Sequence, residues 1–104
     1  MENKTNFKTI LVSKQLEKPF LNMIKMEILN NNIKIKNLEI EIQRNNIEKQ
    51  KILNNINPDD YETIEKTEEF WNNIENELKN KIKKIENINN ELLSIQVNLT
   101  QNEE

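Results

Sequence analysis

The side chains best suited to chemistry in this sequence are its carboxylates, of which Glu68-Glu69 is an adjacent pair. Two carboxylates can divide the roles of acid and base only where a preorganised cavity pushes their pKa values apart. The rest of the usual equipment is missing. With no histidine and no cysteine, there is no imidazole base, no thiolate nucleophile and no nitrogen or sulfur set for a transition metal. With no glycine, a phosphate-cradling loop is hard to build. Glu68-Glu69 reads more simply as negative charge on the early turns of a helix. The sequence thus predicts a non-enzymatic protein without catalytic residues, cofactor or metal site.

A second set of residues points to a different kind of chemistry. Met26, Ile33, Ile40 and Ile47 recur at seven-residue intervals, which places them along one side of a helix. Contiguous apolar surface of this sort marks contact with another protein, so these four form the predicted protein-binding set.

The elements that hold this stripe follow from two longer combs of apolar positions, one on each side of Asn57-Pro58-Asp59-Asp60. The first runs Leu21, Ile24, Ile28, Asn31, Ile35, Leu38, Ile42, Asn45, Lys49, Ile52, Ile56, and the second Ile64, Thr67, Trp71, Ile74, Leu78, Lys81, Ile85, Ile88, Leu92, Ile95, Leu99. Both alternate steps of three and four, the spacing of a helix stripe packed on a neighbour. Pro19 places a helix start in its vicinity. Asn57 is a preferred N-cap, and Asp59 and Asp60 suit the positive end of the helix that follows.

Helices are therefore expected over 19–56 and 58–100, with the turn at 57–60. A connection this short makes them antiparallel. Facing the two combs in their simplest register sets Leu38 against Leu78 and Ile28 against Ile88, and a slip of three or four residues satisfies the same pattern. Asn31 and Asn45, polar positions on the seam, are read as devices that fix register or oligomeric state.

Residues 1–18 are more ambiguous. Phe7-Lys8-Thr9-Ile10-Leu11-Val12 has strand-like composition, yet Phe7, Ile10, Leu11 and Lys14 also fit a helix face, and a lone strand would lack a partner. A short helix at about 6–17 is predicted, folding back at Pro19, with residues 101–104 frayed. The fold class is all-α: a long antiparallel two-helix coiled-coil hairpin with a short N-terminal helical segment. The Met26 stripe lies about 140° around the helix from the leading seam positions, so the second helix cannot cover it; the N-terminal segment, through Phe7, Ile10, Leu11 and Leu16, is the alternative cover for Met26 and Ile33 but is too short to reach Ile47. Since an isolated two-helix hairpin is marginal, a third helix or a homodimer is the expected remedy.

Charge narrows the partners. Lys and Arg total 15 against 18 Asp and Glu, a net charge of −3 with both signs interleaved, which disfavours a nucleic-acid footprint. The run Lys79, Lys81, Lys83, Lys84 is interrupted and flanked by Glu75, Glu77 and Glu86 and reads as a solvated face. Phe70, Trp71 and Tyr61, gathered near the turn, are read mainly as core. No apolar run suits a bilayer, and residues 1–13 lack a secretory apolar core, so no membrane contact and a cytoplasmic location are expected.

Two family resemblances add to this reading. Tyr61-Glu62, Ile64, Lys66, then Glu68-Glu69-Phe70-Trp71 and the amphipathic run to Leu92 resemble the second helix of tubulin-binding cofactor A, a small helical chaperone of β-tubulin. Lys8-Thr9, Val12, Lys14, Leu16 and Lys18 are similar to that family's leading segment. The first helix here is longer than the family pattern, the Lys-Lys-Gln signature is incomplete, and no third helix follows Leu99. Lys66-Thr67-Glu68-Glu69-Phe70-Trp71 and Ile33 to Ile42 resemble the two helices of β-type prefoldin subunits, without the Gly-containing hairpins of that family. Both resemblances imply a coiled-coil chaperone, and the first implies β-tubulin as client. The competing expectation is a structural coiled-coil subunit of a kinetochore, tethering or cytoskeletal assembly, whose stripe packs on other helices.

Overall fold

A computed structural model describes the backbone over residues 8–99 and the side chains over 11–95. The order of elements is β1 (Lys8–Val12), α1 (Lys14–Asn54), α2 (Tyr61–Leu93) and β2 (Ile95–Leu99). The protein is an all-α helical hairpin in class, its two long helices joined through residues 55–60. The chain divides into two compact units, Met1–Ile33 with Ile85–Glu104, and Lys34–Lys84.

The second unit contains the turn. Asn57 Oδ1 accepts the Asp59 backbone N–H at 3.0 Å, the local bond by which Asn mimics a backbone turn. Asp60 is the N-cap of α2: its Oδ1 accepts the Thr63 N–H at 3.2 Å, and its carbonyl accepts the Ile64 N–H at 3.1 Å. The helix therefore starts at Tyr61 and not at Pro58, because Asn57 spends its oxygen on the turn and leaves capping to Asp60. Leu78, 5% exposed, is the most buried apolar side chain of this unit. Along the two helices of this unit, Ile64, Thr67, Trp71, Ile74 and Ile82 on α2, and Ile35, Leu38, Ile42, Asn45, Lys49 and Leu53 on α1, are half-buried.

Two of these positions differ from the sequence comb in the same way. On α2 the buried side steps from Leu78 to Ile82, leaving Lys81 exposed; on α1 it steps from Lys49 to Leu53, leaving Ile52 39% exposed. A strict heptad would press the Lys81 ammonium into the seam, where desolvation opposes it. An extra step of four replaces it with isoleucine, at the cost of locally relaxing the left-handed winding that a heptad imposes.

In the first unit the same correction puts Asn89 on the seam in place of Ile88, which is 48% exposed. Asn31 and Asn89 are 5% and 8% exposed. The Asn31 side-chain N–H donates to Asn89 Oδ1 at 2.9 Å, and Asn89 Nδ2 donates to Asn32 Oδ1 at 3.0 Å. Asn89 thus takes the place expected of Ile85 opposite Asn31, a slip of four residues along α2. In the simpler register Asn31 would face Ile85, leaving its buried amide without a partner, which costs free energy.

The N-terminal helix predicted at 6–17 is replaced, over its described part, by β1 and the start of α1. β1 pairs in parallel with β2, Lys8 opposite Ile95 and Val12 opposite Leu99. Parallel strands need a crossover connection, and here the whole helical hairpin supplies it. The partner that a strand at 8–12 seemed to lack lies in residues read as the end of the second helix. At the end of α2 the Ser94 hydroxyl donates to the Glu91 carbonyl at 2.8 Å and its N–H donates to the Asn90 and Glu91 carbonyls at 3.1 and 3.2 Å, satisfying last-turn acceptors.

At the other junction α1 begins at Lys14, ahead of Pro19. Ser13, a preferred N-cap type, accepts the Leu16 N–H on its carbonyl at 2.9 Å. Pro19 then sits in the second turn, where it removes one bond, that to the Gln15 carbonyl. The expected fraying of residues 101–104 lies outside the described residues.

Replacing Asn31 by alanine leaves Asn89 Oδ1 buried without its donor, and stability is expected to fall by about 1–3 kcal/mol. Replacing Asn31 and Asn89 together by leucine removes the unsatisfied group and should recover much of that loss. Urea unfolding followed by far-ultraviolet circular dichroism checks both, and a double variant weaker than Asn31→Ala would refute the account of the pair.

Candidate protein-binding site

α1 distributes its apolar residues around much of its circumference, whereas α2 gathers them on one side. The consequence is that α1 carries apolar side chains which its seam does not use. The four residues singled out from sequence are all exposed: Met26 56% and Ile33 59% in the first unit, Ile40 38% and Ile47 58% in the second.

In the first unit Met26 and Ile33 have further exposed apolar neighbours at helix spacing, Met23 and Leu29, at 58% and 55%. These the heptad reading did not include. Their signal was present as apolar residues three positions either side of Met26, a broader stripe than a single seven-residue series. The methionines give this patch an unbranched, polarizable surface able to adapt to the shape of a partner.

In the second unit Ile40 and Ile47 sit among charges. Lys36 and Glu39 lie 3.8 Å apart on the exposed side of the same helix, an ordinary surface pair of little energetic consequence.

The second unit also holds an apolar groove near the turn, of about 340 Å³, lined by Ile52, Thr63, Lys66, Thr67, Phe70 and Trp71. Its aromatic rings meet edge to face, with centroids 5.3 Å apart and planes at 84°, a favoured arrangement of ring quadrupoles. The reading of these aromatics as core holds best for Trp71, which is half-buried; Phe70 is 57% and Tyr61 76% exposed. Helix geometry gives the reason: Phe70 precedes Trp71 by one residue, about 100° around α2, so both cannot face α1. The same end is acidic, with Glu65, Glu68 and Glu69 grouped beside Asn72 and Asn73 on the same stretch of α2.

Among the described residues no group of three or more acidic side chains is placed to hold a metal ion, and no helix is long and apolar enough to cross a membrane. Both surfaces are exposed apolar area, displayed on helices whose buried sides face elsewhere.

If the stripe does no work inside the hairpin, polar replacements there should be nearly silent in the unbound protein. Ile33→Ser and Ile47→Ser are expected to change unfolding free energy by less than about 0.5 kcal/mol, while Leu78→Ala, at a buried seam position, should cost about 2–5 kcal/mol. Denaturant midpoints of the three variants decide it, and an Ile47→Ser loss comparable to that of Leu78→Ala would place the stripe in an internal core. Comparison of the chain with protein-family models, with curated proteins and with solved structures finds no match.

Proposed function

We propose that this chain is a non-enzymatic protein-binding hairpin that acts as a chaperone, shielding an apolar client surface against the Met26, Ile33, Ile40 and Ile47 side of α1. The observation that carries the reading is the exposure of all four side chains, from 38% to 59%, on a helix that has a separate buried seam. Apolar side chains repeated at heptad spacing and left in water are the usual mark of a helix face awaiting a partner. Such binding is stoichiometric and calls for no nucleotide, metal or cofactor. The likeness of residues 61–92 to tubulin-binding cofactor A makes unassembled β-tubulin the client to try first.

A second reading has one observation in its favour. Among the described residues only Val12 and Leu78 are buried apolar side chains, a thin core for two long helices. That favours a structural coiled-coil subunit, or a homodimer, whose stripe is permanently covered by other helices.

Light scattering of the purified chain, combined with a pull-down of unassembled tubulin, separates the two. A chaperone is expected as a stable monomer or dimer that retains tubulin; a subunit should aggregate or remain poorly folded until its partners are supplied. Ile40→Asp should weaken association by tenfold or more, since a charge cannot be desolvated cheaply in such a contact, with helicity kept. Loss of helicity in the free Ile40→Asp protein would remove the stripe from consideration as a binding surface.

A further inference from the structure

We propose that the groove near the turn, lined by Ile52, Phe70 and Trp71, docks a basic amphipathic peptide segment, a partner chemistry separate from whatever covers the α1 stripe. The groove is apolar, aromatic and open. Phe70 is 57% exposed beside a half-buried Trp71, and large rings of these types are the usual anchors of protein contacts.

Charge identifies the occupant. From Asp59 to Glu77 the sequence holds eight carboxylates against a single basic residue, Lys66. On the helices that form the groove, Glu48 lies one turn before Ile52, Glu62 and Glu69 lie one turn to either side of Lys66, and Glu77 lies two turns beyond Phe70. All four are exposed. Lys66, the one cation in the lining, is already matched by Glu62 at 3.7 Å. The α2 side of the rim is therefore negative beside an apolar floor, while on the α1 side Lys49 and Lys51 stand next to Ile52 with Glu48, the Lys49 ammonium donating to Asn72 Oδ1 at 3.3 Å. That α2 side would repel a nucleic acid or an anionic membrane. A helical segment with large aliphatic side chains on one face and Lys or Arg beside them meets both features at once.

Trp71 is the single tryptophan of the chain and reports on the groove directly. The test uses two short tryptophan-free synthetic peptides with the same leucine face, one bearing lysines on its polar side and the other glutamates. The lysine peptide is expected to shift Trp71 emission to shorter wavelength in a saturable way, with affinity falling as salt is raised. The glutamate peptide should not bind.

Phe70→Ala, at an exposed position, should abolish the shift with helicity retained. Glu62→Lys combined with Glu69→Lys should weaken binding about tenfold, and Ile40→Asp should leave it unchanged, which separates this proposal from the reading of the α1 stripe. Equal binding of both peptides, no movement of Trp71 with the lysine peptide, or undiminished binding to Phe70→Ala would overturn it. So would light scattering in which Phe70→Ala dissociates a self-associated hairpin, since the groove would then belong to a second copy.

Discussion

Two buried amides hold the register of this hairpin. Asn31 and Asn89 lie in the seam, donating and accepting between themselves and with Asn32, in a setting where most neighbouring seam positions are isoleucine or leucine. Apolar contacts between such residues are nearly indifferent to a slip along the helix, because one isoleucine substitutes well for another. Amides are not. Displaced by four residues, Asn31 would sit against Ile85 without a partner, so the register that joins the amides is favoured by more than the modest net worth of a single hydrogen bond. This is the role that a polar residue at a seam position plays in coiled coils generally.

A second constraint is the cost of burying charge. The stripe that packs inward on α2 is not a strict heptad: it takes an additional step of four at Leu78, and Lys81 remains in water. That step carries the buried side onto Asn89 and leaves Ile88 largely outside, so the avoidance of a buried ammonium and the pairing of the asparagines act together. The α1 seam makes a similar step from Lys49 to Leu53. Apolar residues displaced by these steps, Ile52 and Ile88, add to the exposed hydrophobic area. The groove beside Ile52 arises in this way.

The exposed surface has a common physical origin. Two helices can cover about one stripe on each other, and α1 has more than one to cover. Among its outer residues are isoleucines and methionines where a solvated helix would carry charge, the asymmetry on which the proposed binding function rests. The acidic turn end differs in character: there the aromatic residues lie among carboxylates, and the partner suited to it is basic.

Much of the architecture was legible in the sequence because periodicity survives local error. The heptad spacing marked two helices, Asn57-Pro58-Asp59-Asp60 marked the reversal, and the exposed positions Met26, Ile33, Ile40 and Ile47 followed from their angle to the seam. The strands were not legible: Ile95, Val97 and Leu99 alternate as a strand does, but Leu92, Ile95 and Leu99 also continue the helical comb, and only a partner distant in sequence decides between the two. The capping roles of Asn57 and Asp60 were likewise exchanged, since both types suit an N-cap and the choice lies in which N–H each oxygen reaches. By itself, then, the sequence determined two long helices and their faces, since side-chain angle around a helix is a local property. The register, the additional steps of four, the strand pairing and the groove were decided by tertiary structure, because each requires one helix or strand to select among alternatives on another.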